Sequence, residues 1–257
     1  MAGWFASHPG DFRILQQALP YNSAMSFGRY EAWGYDPGVQ RRYAEFVLAA
    51  EHLDPNSPLT NVPLAYPAPA LRLLRCRYYF VPAGKQIAVG EIPGALPEGL
   101  LVHEVRIVQD RMTELRQLQD PGFSSDQKVL IEKMPTALPQ PAVFPEDVVV
   151  THKDSDTLEI AASASSSGML LITDAYSRFW KVRAMPDSVQ QSYDIVPGDY
   201  ALIAIRVEKG NHHFTLTYEP PLFRLGAALS ALGLAVFFGL LYVTCRKPPL
   251  ARLRTEQ

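Results

Sequence analysis

The stretch "TLTYEPPLFRLGAALSALGLAVFFGLLYVTCRKPP", residues 215–249, decides the architecture. It opens as an alternating β-strand, meets two prolines and runs into an uncharged apolar block from Leu225 to Cys245. As a helix that block is about 31 Å long, the thickness of a bilayer's hydrocarbon core. Core helices of soluble proteins are rarely apolar on every face for that length, so the block predicts a transmembrane helix. Ala227, Ala231, Ala235 and Gly239 recur at every fourth position and share one helix face, where another helix backbone could approach closely. That stripe fits a helix packed in a larger bundle; the abundance of alanine in membrane helices explains it equally well.

Charge at the flanks sets an expected orientation. Arg246, Lys247, Arg252 and Arg254 follow the span, whereas Arg224 alone lies in the dozen residues before it. Positive-inside bias puts the C-terminal tail in the cytoplasm and the residues before the span outside. Yet "MAGWFASHPGDFRIL" lacks the basic start, apolar run and small-residue cleavage site of a secretory signal. The simplest resolution is that earlier helices of a larger membrane protein carry the domain across. Cys76 and Cys245 would then sit on different sides of the problem, one in a folded domain and one at the inner end of the span, and no disulfide is expected.

Working backwards from the span, the chain from about Val148 reads as short strands. These are "VVVTH", "TLEIAAS", "GMLLITD", "WKVRAM", "YALIAIRV" and "HHFTLTY", separated by turn residues such as Pro186-Asp187, Pro197-Gly198 and Gly210-Asn211. The "SASSSG" patch around Ser165 reads as a turn. "VEKGNHH" reads as a hairpin joining the last two strands, and the set suggests a small β-sandwich. Glu219-Pro220-Pro221 would be a stiff joint holding it near the bilayer.

The first half reads as mixed α and β. "GYDPGVQRRYAEFVLAAEHLDP" predicts a helix capped by Asp36, with Pro37 at its first position and Asp54-Pro55 as its stop. Strands are expected at Leu73 to Val81 and Leu100 to Val108, and a short helix at Met112 to Leu118. In "LLRCRYYFV", alternation puts Leu74, Cys76, Tyr78 and Phe80 on one face and Arg75 and Arg77 on the other, making Cys76 a buried hydrophobe. The 257 residues carry a net charge of −2, which leaves no basic footprint for nucleic acid.

Three segments, "LPYNSAMSFGRYEAWGYDPGVQRRYAEF", "LLRCRYYFV" and "LPEGLLVHEVRIVQDRMTELRQLQDPGFSSDQKVLIE", resemble the extracytoplasmic region of bacterial YfhO-type membrane proteins. The ending, from "GMLLITDAYSRFWKVRAM" through "IVPGDYALIAIRVEKGNHHFTLTYEPPLFRLGAALSALG", is similar to that family's C-terminus. The likeness runs in order through nearly the whole chain, although each motif alone is only moderately specific. Two departures stand out: Arg178-Phe179 precedes Trp180 where Pro-Gly is usual, and Glu98 stands where an arginine is common. The resemblance implies a polytopic sugar transferase that uses polyprenyl-phosphate sugars to decorate cell-surface polymers. Its acidic catalytic residue is expected in an external loop near the start of the membrane domain, a region outside this sequence. The chain itself is therefore expected to be non-catalytic and to need no cofactor.

Among possible sites, "KDSD" places Asp154 and Asp156 as in a metal-nucleotide DxD, but a tight turn between strands explains the pair better. His212 and His213 would point to opposite strand faces, and His103 reads as a satisfied histidine, so no metal site is expected. The best contact candidates for a glycan or phosphate are Tyr35, Asp36, Arg41 and Arg42 at the predicted helix start, and Trp180. For each the plainer alternative is structural: a capped helix with a solvated arginine face, and a tryptophan packed in the sandwich.

The expectation is an α+β fold. Residues 1–145 form a mixed α/β extracytoplasmic region, 146–221 a small antiparallel β-sandwich, 222–245 a transmembrane helix and 246–257 a basic cytoplasmic tail. The expected partners are the lipid bilayer, other transmembrane helices of a parent protein, and an envelope glycan or polyprenyl-phosphate sugar. The rival reading is a stand-alone membrane-anchored carbohydrate-binding or scaffolding protein.

Overall fold

Strands β10 (Gly168–Ala175) and β13 (Leu202–Val207) carry unbroken apolar runs at 169–172 and 202–205 because both of their faces are buried there. The computed structural model describes residues 2–34, 38–57, 67–133 and 138–245. Residues up to Thr217 form one compact unit and the chain from Tyr218 a second. In the first unit the order is α1 (Ala2–Ser7), β1 (Arg13–Gln16), β2 (Tyr30–Glu31), α2 (Arg41–Ala50), β3 (Cys76–Ala83), β4 (Gln86–Glu91), β5 (Gly99–Val102) and β6 (Glu104–Ile107). Then follow α3 (Arg111–Leu118), β7 (Lys128–Ile131), β8 (Asp147–His152), β9 (Thr157–Ala164), β10, β11 (Trp180–Ala184), β12 (Ile195–Gly198), β13 and β14 (Gly210–Tyr218).

The described strands form three sheets, ordered β2-β1-β3-β4, β5-β10-β13-β12-β7-β6 and β11-β14-β9-β8. The six-stranded sheet lies in the middle of the packing. On one side Leu170, Ile172, Ile203 and Ile205 meet Leu158, Ile160, Phe214 and Leu216 of the β8–β14 sheet, forming a sandwich. On the other, Met169, Leu171, Leu202 and Ala204 join a larger core with Phe46 and Val47 of α2 and Leu115 and Leu118 of α3. The outer four-stranded sheet of the sandwich keeps the simple alternation of a half-buried sheet: Leu158, Ile160, Ala162 and Ala164 point in, Thr157, Glu159, Ala161 and Ser163 do not.

Two crossovers place the helices. β6 and β7 are parallel neighbours joined through α3, while β1 and β3 are parallel neighbours with α2 between them in the chain. Asp110 starts α3 by accepting the Thr113 amide at 2.8 Å. β5 and β6 are separated by His103 alone, yet β5 pairs with β10 and β6 with β7, at opposite ends of the sheet order. The six-stranded sheet therefore begins and ends on one continuous stretch of chain. In the second unit, α4 (Pro221–Cys245) is long and apolar enough to cross a membrane, with none of its residues buried.

Most expected strands lie where the alternation put them, but several local expectations are corrected. The first helix begins at Arg41 after an extended Gln40; Asp36 and Pro37, its expected cap and first residue, lie outside the described residues. The expected strand from Leu73 starts at Cys76, because Pro69–Leu74 winds into a 3-10 helix closed by Arg75 in the left-handed region at φ 63°. Arg75 is consequently buried rather than sharing an exposed face with Arg77. Cys76, Tyr78 and Phe80 are all buried, but in two cores: the pairing with β1 shifts register, so Cys76 faces the helices and Tyr78 and Phe80 face α1. Finally, β13 and β14 are not a hairpin: each pairs within a different sheet, and Glu208-Lys209 carries the chain between layers. Pro197-Gly198 closes β12, and the turn falls one step later, at Asp199-Tyr200.

Candidate binding cleft

Two arginines, Arg13 and Arg75, come together where β1 pairs with β3. Arg13 heads β1, and its amide donates to the Arg75 carbonyl at 2.9 Å. The left-handed backbone at Arg75 turns its side chain inward, where Nη1 donates to Asp11 at 2.7 Å and to Glu98 at 2.6 Å. Its Nη2 lies 3.6 Å from Asp174 Oδ1, the oxygen that also pairs with Arg13. Glu98 is further bonded to His152 Nε2 at 2.6 Å. Burial pushes the Glu98 carboxyl above its ordinary range, against the pull of Arg75. Burial also opposes the charge of Arg13, but Asp174 and its neighbours outweigh it and raise the guanidinium pKa.

A cleft of about 290 Å³ opens on this floor, lined by Arg13, Arg75 and Asp174 together with Tyr30, Gln40 and Trp180. A second hollow of about 400 Å³ shares Arg13, Tyr30 and Gln40 and extends to Trp33 and Tyr43. Each is of the size that takes a sugar-sized ligand. The walls are aromatic: Tyr30 stacks on His152 with ring centres 6.3 Å apart and an interplanar angle of 22°. Trp33 lies parallel to Tyr43 at 6.3 Å and 6°. Trp180 is half-buried and donates Nε1–H to the Ala175 carbonyl at 3.0 Å. Three buried polar atoms of lining residues, Gln40 Oε1, Arg75 Nε and Trp33 Nε1, have no hydrogen-bond partner among the described residues.

Of the sequence candidates, Trp180 lines this cleft, while Tyr35 and Asp36 lie outside the described residues. Arg41 is solvent-exposed and pairs with Glu45 at 2.7 Å. Arg42 pairs with Glu132, donates to the Tyr200 carbonyl at 3.1 Å and lies over the Tyr200 ring. Neither arginine is among the cleft's lining residues. The cleft residues that sequence reasoning passed over are Arg13, Tyr30, Arg75, His152 and Asp174. One signal existed: Glu98, already unusual where an arginine is common, is the carboxylate beneath Arg75 and His152.

The remaining candidates have structural partners. Asp154 accepts the Asp156 amide at 2.8 Å in a tight turn, and no group of His, Cys, Asp and Glu is placed to hold a metal among the described residues. His212 is buried against Tyr193 and Glu208, whereas His213 faces outward between Glu159 and Asp187, which raise its pKa. His103 lies 2.7 Å from Glu146 and 3.2 Å from Ser166, but the Ser166 hydroxyl donates to the Gln140 carbonyl at 2.7 Å. This Ser-His-Glu grouping fastens the β9–β10 turn, and a Cβ at Gly168 would come within 2.9 Å of the His103 ring. Burial pushes the Cys76 thiol up to about 12, which leaves it unreactive.

The fold and the apolar helix define an α+β protein with a sheet-rich unit and one candidate membrane helix. Over 97 residues the chain is 29% identical to a Bacillus subtilis (strain 168) protein described as an uncharacterized protein YfhO. The match covers 37% of this chain and 10% of that protein, so the chain spans only a small part of its relative's length. No protein-family model matches the chain, and no solved structure matches it.

Proposed function

We propose that this chain is the non-catalytic, extracytoplasmic C-terminal part of a YfhO-like integral membrane protein that glycosylates cell-envelope polymers. The observation that carries the reading is α4, 25 residues long and wholly unburied, following a β-rich unit in a chain with partial similarity to YfhO. The basic residues after the span support an outward-facing domain, and the face of Ala227, Ala231, Ala235 and Gly239 supports packing against further membrane helices. In this reading the first unit caps the membrane bundle outside the cell and presents its cleft to the polymer being modified.

Protease accessibility in spheroplasts tests it, with the chain produced alone and again behind the upstream membrane portion of a YfhO-type protein. Cleavage of the β-rich unit from outside, in the joined form only, is the expected result. Protection in both forms, with cleavage only in inverted vesicles, would place the unit in the cytoplasm and end the proposal. External cleavage of the chain produced alone would instead favour an independent anchored binding protein.

A further inference from the structure

We infer that the cleft over Arg13, Arg75 and Asp174 binds an uncharged saccharide, not a phosphate or a phosphosugar. An arginine pair in a pocket ordinarily suggests an anion. Here both guanidiniums are already spent on protein carboxylates: Arg75 on Asp11 and Glu98, Arg13 on Asp174. Two guanidiniums thus meet three carboxylates, Asp11, Glu98 and Asp174. An incoming phosphate would compete with carboxylates already seated on both arginines, and displacing Glu98 or Asp174, 10% and 16% exposed, would strand a largely desolvated charge.

What the cleft does offer is mixed hydrogen-bonding capacity and flat apolar walls. Among the described residues, the buried acceptor Gln40 Oε1 has no donor and the buried donors Arg75 Nε and Trp33 Nε1 have no acceptor. A hydroxyl group is both donor and acceptor, and several of them on one rigid ring would answer these atoms together. The C–H faces of a pyranose suit the aromatic rings of Tyr30 and Trp180 that line the cleft. Joined hollows that share Tyr30 and Gln40 suit a ligand of two or more rings better than a single sugar. That such a ligand is the polymer acceptor rests on the proposed function; the cleft chemistry does not.

The test is titration calorimetry on the full chain in detergent, with uncharged oligosaccharides of glucose, galactose and N-acetylglucosamine, and with inorganic phosphate and glucose 1-phosphate as the anionic probes. The expected result is saturable binding of at least one neutral oligosaccharide, with phosphate and the sugar phosphate at least tenfold weaker. Tyr30→Ala, at a residue 55% exposed and so harmless to folding, should weaken binding at least tenfold. Gln40→Leu should do the same with an unchanged thermal transition, and Trp180→Ala provides a third variant. Tighter binding of phosphate than of every neutral sugar would overturn the inference, as would no saturable neutral binding up to solubility. Detergent removes sidedness from this measurement, so a cytoplasmic domain found by proteolysis would defeat the proposed function without touching the cleft, and the converse also holds.

Discussion

The cleft floor and the start of α2 both crowd arginines and carboxylates together, and they differ in what is left over. At the cleft, Arg13 and Arg75 meet Asp11, Glu98 and Asp174, yet Arg75 Nε and Gln40 Oε1 of the lining have no partner among the described residues. At α2, buried Glu45 accepts from Arg41 at 2.7 Å, from Arg111 at 2.8 Å and from the Tyr200 hydroxyl, while Arg42 turns to Glu132 and the Tyr200 carbonyl. Both oxygens of Glu45 are engaged by protein donors. Charge density therefore does not distinguish a site from a structural clamp; residual hydrogen-bonding capacity next to a cavity does.

Arg75→Met should break the comparison hardest. It strips the buried guanidinium from Glu98 and Asp174, whose side chains are 10% and 16% exposed, and losing one partner of a buried ion pair costs about 3–5 kcal/mol. Urea denaturation should show that loss, and saccharide binding should vanish with it. A variant as stable as the parent would mean that Glu98 and Asp174 are served by other groups and that the floor is not the keystone argued here.

A third acidic position sharpens the contrast because it is neither clamp nor cleft. Asp199 and Tyr200 are consecutive left-handed residues, at φ 43° and 67°, in a tight turn closed by the Ala201 amide donating to the Asp199 carbonyl at 2.7 Å. The Asp199 side chain accepts the Leu130 amide at 2.8 Å with Oδ1, and its Oδ2 has no partner among the described residues. Burial first, and then the nearby Glu114, push its carboxyl up to about 8, and burial pushes Glu114 up to about 7. Folded-state values above the unfolded ones mean that the folded protein holds these protons more tightly. The associated stability is complete below about pH 4 and is lost as pH rises toward the folded values. Asp199→Asn keeps an acceptor for Leu130 and removes one of the two titrations. Between pH 6 and 9 the parent should lose about 2 kcal/mol more than this variant. Equal slopes in denaturation series at the two ends of that range would refute the assignment.

These positions also mark where the sequence was readable and where it was not. Alternation located β9 and β14 because each buries one face, and β8 keeps the same pattern more weakly, whereas β10 and β13 stood out as apolar runs buried on two faces. It could not assign partners: a two-residue link between β13 and β14 looks identical whether it closes a hairpin or changes sheets. It also could not see the cleft. Arg75 alternates like an outward residue, and only its left-handed backbone, set by the 3-10 helix before it, sends the side chain inward. Arg13, Asp174 and His152 come from three separate strands, so no local spacing links them. Trp180 was visible as a lone aromatic, whereas its neighbours across the cleft were not.

Smaller effects test the clamp. Glu45→Gln keeps one acceptor but removes the charge that holds Arg111 and Arg41, and should cost about 1.5–2 kcal/mol, the low end of the range for a hydrogen bond to a charged group. Saccharide affinity should stay within twofold of the parent. A large loss of affinity with that modest loss of stability would join the two clusters into one functional unit.

Arg41→Ala should do least of all. Its guanidinium is 83% exposed, its partner Glu45 lies four residues on, and Arg111 and Tyr200 continue to serve that carboxylate when it is gone. Water and salt screen a pair of this kind, and its loss is not expected to register in a urea midpoint. Phosphate titration of the variant is the informative readout, because an exposed arginine at a helix start is also where an anion would first be sought. If the parent bound phosphate and Arg41→Ala did not, the sequence-level expectation of an anion contact at α2 would stand, beside a cleft that takes something else.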